Sequence, residues 1–516
     1  MGLAVATSFG CLVATYLFFR FLLRLTQDPK EPPTIETELP FLAPVLGMIR
    51  KKSQYYVLLR DKYRLPIYTL RLPFLRMYIV NDIDLIPIVQ KQWRTISFAV
   101  FSANAGKQVG MSKSAIKIMK EDLTHEKGFS VSWPKYIAPS VAPGKDLDTI
   151  NQQAIEGFAT EMERLRAEGT IRVGLWQWSR HTMVVSTSNA IWGSQNPFQR
   201  KEVAEAWEIF ESGFLTLNIF PFASFFFPKI SRARDLLVGA MVDYVRKGGH
   251  ETASALLRAL YDHHRQFNLG LDDIARSGLG IAFAVLSNSA PCALWLLYHI
   301  FSDDRVLADI RDEVSVLVRE NGTDKFVDLA SIRTSCPILL STFQETLRYR
   351  SLNPGARILL EDALLDTGTL LKKGSMLMMP ALVHHTNATA WGTDARMFNH
   401  LRFTDLTSGR KRPNRVAFRA FGGGHVLCPG RHLASTEIMA LAALLVLQFD
   451  IMPIDGGKWV EPTWKNSPMQ AAFPIPDDDI HVELRPRDPG VKWCVTFSGS
   501  DDVVPIVSED IAVTLE

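Results

Sequence analysis

Net charge of either sign is almost absent. Fifty-seven Lys and Arg stand against 54 Asp and Glu, a balance of +3 at pH 7 over 516 residues, which offers nucleic acid no basic footprint. Cysteine is scarce as well: Cys11, Cys292, Cys336, Cys428 and Cys494 form no CxxC pair and no repeated spacing. A disulfide framework is thereby set aside, and the plain reading of any one of these thiols is core filler. There is no internal repeat and no low-complexity tract, so solenoids and arrays are excluded too. Apolar side chains are plentiful, with 47% of residues hydrophobic and 10% aromatic, enough for one large core or two ordinary ones.

Charge is also missing from Leu3 to Phe19, in "MGLAVATSFGCLVATYLFFRFLLRL". That run is at the lower edge of the about 17–25 residues that span a bilayer, and Arg20 and Arg24 behind it can reach the headgroups. A cleaved signal peptide would carry its cations in front and a small-x-small site behind. Ala6 leaves the myristoylation pattern after Gly2 incomplete. Residues 1–27 are therefore read as one transmembrane anchor, and the positive-inside bias leaves the rest on the cytosolic side. Pro29, Pro32, Pro33, Pro40 and Pro44 mark 28–47 as a stiff linker that blocks helix and sheet ladders. The main domain is expected over 48–486. The acidic, weakly patterned tail 487–516 has no assigned role.

Within the main domain, "YTLRLPFLRMYIVND" alternates as a hairpin, and helical periodicity covers 148–166, 201–214, 236–247 and 271–300. A strand patch from Arg357 to about Met379 turns at Gly368 and Gly374, and short extended pieces follow Phe449. The fold class is mainly α with small β-sheets. Five phenylalanines crowd "NIFPFASFFFP", 218–228, where a loop is normally polar; core burial and a second contact with the bilayer surface are the two readings.

The stretch "FGGGHVLCPGRHLA", 421–434, presents one thiol at the start of an apolar helical pattern. Pro429 suits a first helical turn, and the positive end of a helix favours thiolate over thiol at Cys428. Gly424 and Gly430 allow tight bends and close approach of something flat. Such a thiolate is a nucleophile, with His425 as its base, or a metal ligand. Zinc needs about four ligands, and scattered histidines fall short. Haem iron needs only this one residue.

The spacing F-x-x-G-x-x-x-C-x-G, carried by Phe421, Gly424, Cys428 and Gly430, resembles the haem-binding signature of the cytochromes P450. The resemblance extends in chain order from residue 1 to about 486. "FQETLRYR" is similar to the family's E-x-x-R helix, which implies a buried structural network of Glu345, Arg348 and Arg402. The same spacing at Glu161 with Arg164 and Glu163 with Arg166 reads as solvated helix pairs. The resemblance implies the P450 fold behind one transmembrane helix, on the endoplasmic reticulum membrane. It also implies haem on Cys428, NADPH electrons through a P450 reductase with cytochrome b5 as a further donor, and insertion of oxygen into a bulky apolar molecule.

Two departures stand out. The family's acid–threonine pair on the long central helix is replaced by Ser287 and Asn288 in "GIAFAVLSNSAPCALWLLYHI". Pro291 should kink that helix, freeing the Ser287 carbonyl to hold a water with the Asn288 amide; alternatively Asn288 and Ser289 repair the break. Val426 stands where a cation usually meets a haem propionate, leaving His425 and Arg357 as stand-ins. The S-N-S-x-P arrangement resembles the branch with sterol 7- and 12-hydroxylases and prostacyclin synthase, which holds oxygenases and an isomerase. The glycine-rich loop resembles fungal members that decorate secondary metabolites, suggesting a steroid or terpenoid substrate. Phe98, Phe101, Ala284, Leu352 and Phe473 are the expected pocket walls. A haem-thiolate isomerase or lyase, a tethered haem sensor and a cysteine hydrolase are the alternatives.

Overall fold

The computed structural model describes residues 2–214, 223–404, 414–469, 471–499, 505–507 and 510. They form two compact units: Met1–Val100, Ser351–Met397 and Pro413–Leu427 in one, and Phe101–Arg350, Phe398–Arg412 and Cys428–Glu516 in the other.

The first unit begins with the helix Gly2–Leu25, in which Ser8–Leu25 is long and apolar enough to cross a membrane. Its sheet is ordered Ile67–Leu72, Leu75–Val80, Met376–Met378, Arg357–Leu359, Ile96–Ser97. The expected hairpin is its first pair, in register Ile67↔Val80 through Leu72↔Leu75. Gly368 and Gly374 turn at φ 78° and 74°, where an L side chain would be strained. The proline-rich segment departs from expectation. Thr34 bridges Thr69, the Ile35 N–H donates to the Thr69 carbonyl and the Thr69 N–H to that of Pro33. Leu42–Lys51 is helical with Pro44 in its first turn. Proline lacks only its own N–H, so its neighbours can still pair along an edge, and a first turn tolerates it.

The second unit is the helical body. Its core joins the helices Lys145–Glu168, Leu175–Trp192, Lys201–Gly213, Pro228–Arg246, Ala255–Gln266 and Leu271–Leu286. Arg431–Gln448 is buried almost along its whole length, with Leu441, Leu444 and Leu445 fully enclosed. Each such leucine contributes roughly 1.5–3 kcal/mol relative to exposure, so this helix is anchored as core on every side. Its Leu433 enters the cluster that holds Ala282 and Leu286. Two three-stranded sheets complete the unit, and in one of them Lys492–Thr496 runs parallel to Asp324–Asp328.

Three local expectations change. The helix placed at 236–247 begins at Pro228, because proline is well suited to a first turn even where charged residues hide the apolar period. Arg164 pairs with Glu161 as foreseen, but Arg166 donates to the Val491 carbonyl instead of pairing with Glu163. In the phenylalanine-rich stretch, 215–222 lies outside the described residues, while Phe225 and Phe226 of the short helix Ala223–Phe226 are exposed.

Candidate active site

The central helix breaks where proline requires it. Leu271–Leu286 ends, Ser287 and Asn288 form a turn, and Ser289–Phe301 resumes with Pro291 in its first turn. Pro291 has no N–H for the carbonyl of Ser287. The Ser289 hydroxyl donates to the Val285 carbonyl at 3.3 Å and so helps repair the break. Asn288 makes no side-chain capping bond, and the Ser287 Oγ is buried without a hydrogen-bond partner among the described residues.

In the same unit Cys428 precedes the buried helix. The helix starts at Arg431 with Gly430 as its N-cap, so Pro429 lies just outside the first turn it was expected to occupy. Gly430 has an ordinary φ of −81°; Gly422 and Gly424, at 78° and 59°, make the bends that need glycine. The expected preference for thiolate is also reversed in the protein alone. Burial pushes the Cys428 thiol up, outweighing the Gly430 N–H and the Arg431 charge, which act the other way. The Arg431 Nη1 donates to the Cys428 carbonyl at 3.1 Å.

Glu345, Arg348 and Arg402 are brought together in this unit. The Glu345 carboxylate accepts from Arg348 Nε and Nη2 at 2.7 Å each, from Arg402 Nε at 3.0 Å, and from the Asn399 N–H at 3.0 Å. All three charged side chains are buried. Of the expected pocket walls here, Phe101 is half-buried, Ala284 exposed and Phe473 buried.

In the first unit Phe421 and Gly424 lie on the loop leading to the cysteine. A Cβ on Gly424 would come within 3.1 Å of the Gln90 side chain, tighter than ordinary contact. His425 packs on Trp93, ring centroids 4.5 Å apart. Arg357 is buried, and its Nη1 donates to the Ala356 carbonyl. Its guanidinium lies over Phe98 at 5.4 Å. Burial, with Arg419 beside it, pulls Arg357 down to about 9. No carboxylate among the described residues forms an ion pair with it. Leu352 is buried and Phe98 partly exposed.

Arg419, Arg431 and Asp510 were not singled out by sequence. Arg431 sits inside the quoted cysteine stretch and Arg419 two residues before it, yet nothing local distinguishes them from surface cations. Asp510 lies 79 residues from its partner Arg431.

Comparison with known proteins agrees with this layout. The family model described as Cytochrome P450 matches residues 32–474. Cytochrome P450 monooxygenase nodJ of Hypoxylon pulicicidum is 31% identical over 94% of this chain and 96% of that protein. A cytochrome P450 monooxygenase of Gibberella zeae is 28% identical over 89% and 88%, and cytochrome P450 7B1 of Mus musculus 22% identical over 88% and 90%. The solved heme domain of cytochrome P450DA superposes with a TM-score of 0.68 at 15% identity, covering 90% of this chain and 98% of that one. The chain belongs to the cytochrome P450 family, as a monooxygenase whose cofactor is haem held by a cysteine thiolate.

Proposed function

We propose that this monooxygenase oxidises a bulky apolar small molecule of steroid or terpenoid type, with Cys428 as the iron ligand and electrons passed from NADPH by a P450 reductase, cytochrome b5 serving as a further donor. Residues 1–27 would anchor it in the endoplasmic reticulum membrane, with 28–47 as connector and 48–486 as the cytosolic haem-thiolate domain. One observation carries the reading. A single thiol stands just before a helix buried almost along its whole length, while the described residues contain no group of three or more His, Cys, Asp and Glu side chains suited to another metal ion.

The donor set fits haem. Ligation to iron deprotonates a thiol outright, which overrides the effect of burial on Cys428. The first unit supports the fit with a buried cation, Arg357, that has no counter-ion among the described residues and suits a propionate. Phe421, Gly424, Gly430 and His425 would line the loop, and Phe98, Phe101, Ala284, Leu352 and Phe473 would contact substrate. Bound haem supplies activation of dioxygen, strengthened by electron density from the thiolate.

Protons must then come from the chain. Ser287 offers a hydroxyl without a hydrogen-bond partner among the described residues and a carbonyl without its helical donor, and Asn288 an amide not spent on capping the helix. Together they can hold a water and pass its proton on. Asn288→Ala is expected to lower product formation about a hundredfold and to divert electrons from product to peroxide, with Ser287→Ala falling in between. Unchanged coupling in both variants would remove them from the relay.

Arg357→Met gives a second test, because removing an uncompensated buried charge should stabilise the haem-free protein while weakening haem retention about tenfold. Chemical unfolding of the haem-free form and transfer of haem to apomyoglobin measure the two effects; equal effects of one sign would contradict the assignment. The reaction itself is tested with a reductase-containing host, a panel of triterpenoids and diterpenoids, and isotopically labelled O2. Labelled, NADPH-dependent product is expected. Unlabelled product formed without NADPH would overturn the proposed substrate oxidation and its electron route.

A further inference from the structure

The tail beyond residue 486 returns to the base of the cysteine helix. After the strand Lys492–Thr496, Ile506 and Val507 are buried, and the Ile506 carbonyl accepts from Gln344 Nε2 at 3.3 Å, on the E-x-x-R helix. Asp510 is 2% exposed. Its Oδ2 accepts from the Ile506 and Val507 N–H groups at 2.8 and 3.1 Å. Its Oδ1 accepts from Arg431 Nε at 2.8 Å and Nη2 at 2.5 Å. His432 Nε2 lies 3.6 Å from the same oxygen, and the other ring nitrogen of His432 meets Arg333.

The orientation of Arg431 follows from this. A guanidinium is a planar fork of five donors. Asp510 takes the Nε and Nη2 edge, which turns Nη1 to the Cys428 carbonyl at 3.1 Å. The first helical residue is thereby tied back to the cysteine three positions before it. Without the carboxylate, Arg431 would have no fork partner to hold that rotamer, and the tie would depend on one bond to a carbonyl.

We propose that the C-terminal tail belongs to the iron-ligand apparatus: Asp510 is a positioning residue that acts through Arg431 to hold the Cys428 peptide in its ligating arrangement. The inference rests on Cys428 being the haem ligand. It gives the tail a place in the enzyme that the cysteine motif by itself does not suggest.

The test is the ferrous carbon monoxide spectrum of the full-length holoprotein, which distinguishes thiolate from thiol ligation, read with the thermal unfolding midpoint. In Asp510→Asn the carboxylate fork is lost while shape is kept, and the ratio of thiol-type to thiolate-type complex should rise about tenfold, as losing a charge-assisted bond implies. Arg431→Lys keeps the charge but not the fork, and should give a similar rise; it decides the matter if Asp510→Asn retains no haem. Because both variants cut one linkage, the double variant should add little to either alone. A wild-type ratio in both variants, a lowered midpoint with the thiolate band intact, or additive effects would each overturn the proposal. A wild-type protein without a thiolate band would instead refute Cys428 as ligand, so the two failures are separable.

Discussion

Replacing Glu345 by glutamine is expected to cost about 3–5 kcal/mol of folding free energy. One fully buried carboxylate receives the Nε and Nη2 donors of Arg348, the Arg402 Nε and the Asn399 N–H. Glutamine has the same shape but offers one acceptor oxygen and turns an NH2 toward guanidinium donors. Two cations then remain in the interior with their shared anion gone, and the largest offset to their removal from water goes with it. Against a typical total of 5–15 kcal/mol, the loss should leave much of the chain unfolded or haem-free. Arg348→Lys should be milder, since charge survives although the bidentate geometry does not. Urea unfolding followed by fluorescence measures both. A Glu345→Gln midpoint equal to wild type would mean that the network contributes little beyond packing.

What could be read from sequence divides along physical lines. The hairpin at 67–80, the glycine turns at 368 and 374 and the helix break before Pro291 are all set by neighbours within a few residues. Local φ preferences and apolar periodicity dominate there. The cysteine loop was legible for the same reason, as ten residues of fixed spacing. The pairing of Thr34 with Thr69, the bond from Arg166 to Val491 and the clasp of Arg431 by Asp510 join distant points of the chain. No local period encodes them, because they depend on how elements pack. At Cys428 the helix end was visible in sequence, but the burial that raises the thiol in the absence of iron was not.

Burial also governs the second large effect, at Glu437, nine residues beyond Cys428 on the same helix. Its side chain is enclosed, Oε2 accepts from the Thr187 hydroxyl at 3.0 Å, and Oε1 has no partner among the described residues. Desolvation pushes the carboxyl up to about 8, against a small opposing effect of Thr187 and with no charged neighbour contributing. The folded protein therefore holds a proton that the unfolded chain releases near 4.5, and stability falls as pH rises through that window. Below it Glu437 costs nothing, and above about 8 the full penalty of a buried carboxylate applies. Between pH 5 and 9 wild-type protein should lose roughly 4 kcal/mol on this account. Glu437→Gln keeps the acceptor for Thr187 and cannot ionise. It should match wild type near pH 5 and exceed it by several kcal/mol at pH 9, with haem retention following the same curve because the helix is the one that carries the cysteine loop. Denaturant unfolding of both proteins at the two pH values decides it: parallel pH profiles would show that Glu437 remains charged in the folded state, and the cause of alkaline instability would have to be sought elsewhere.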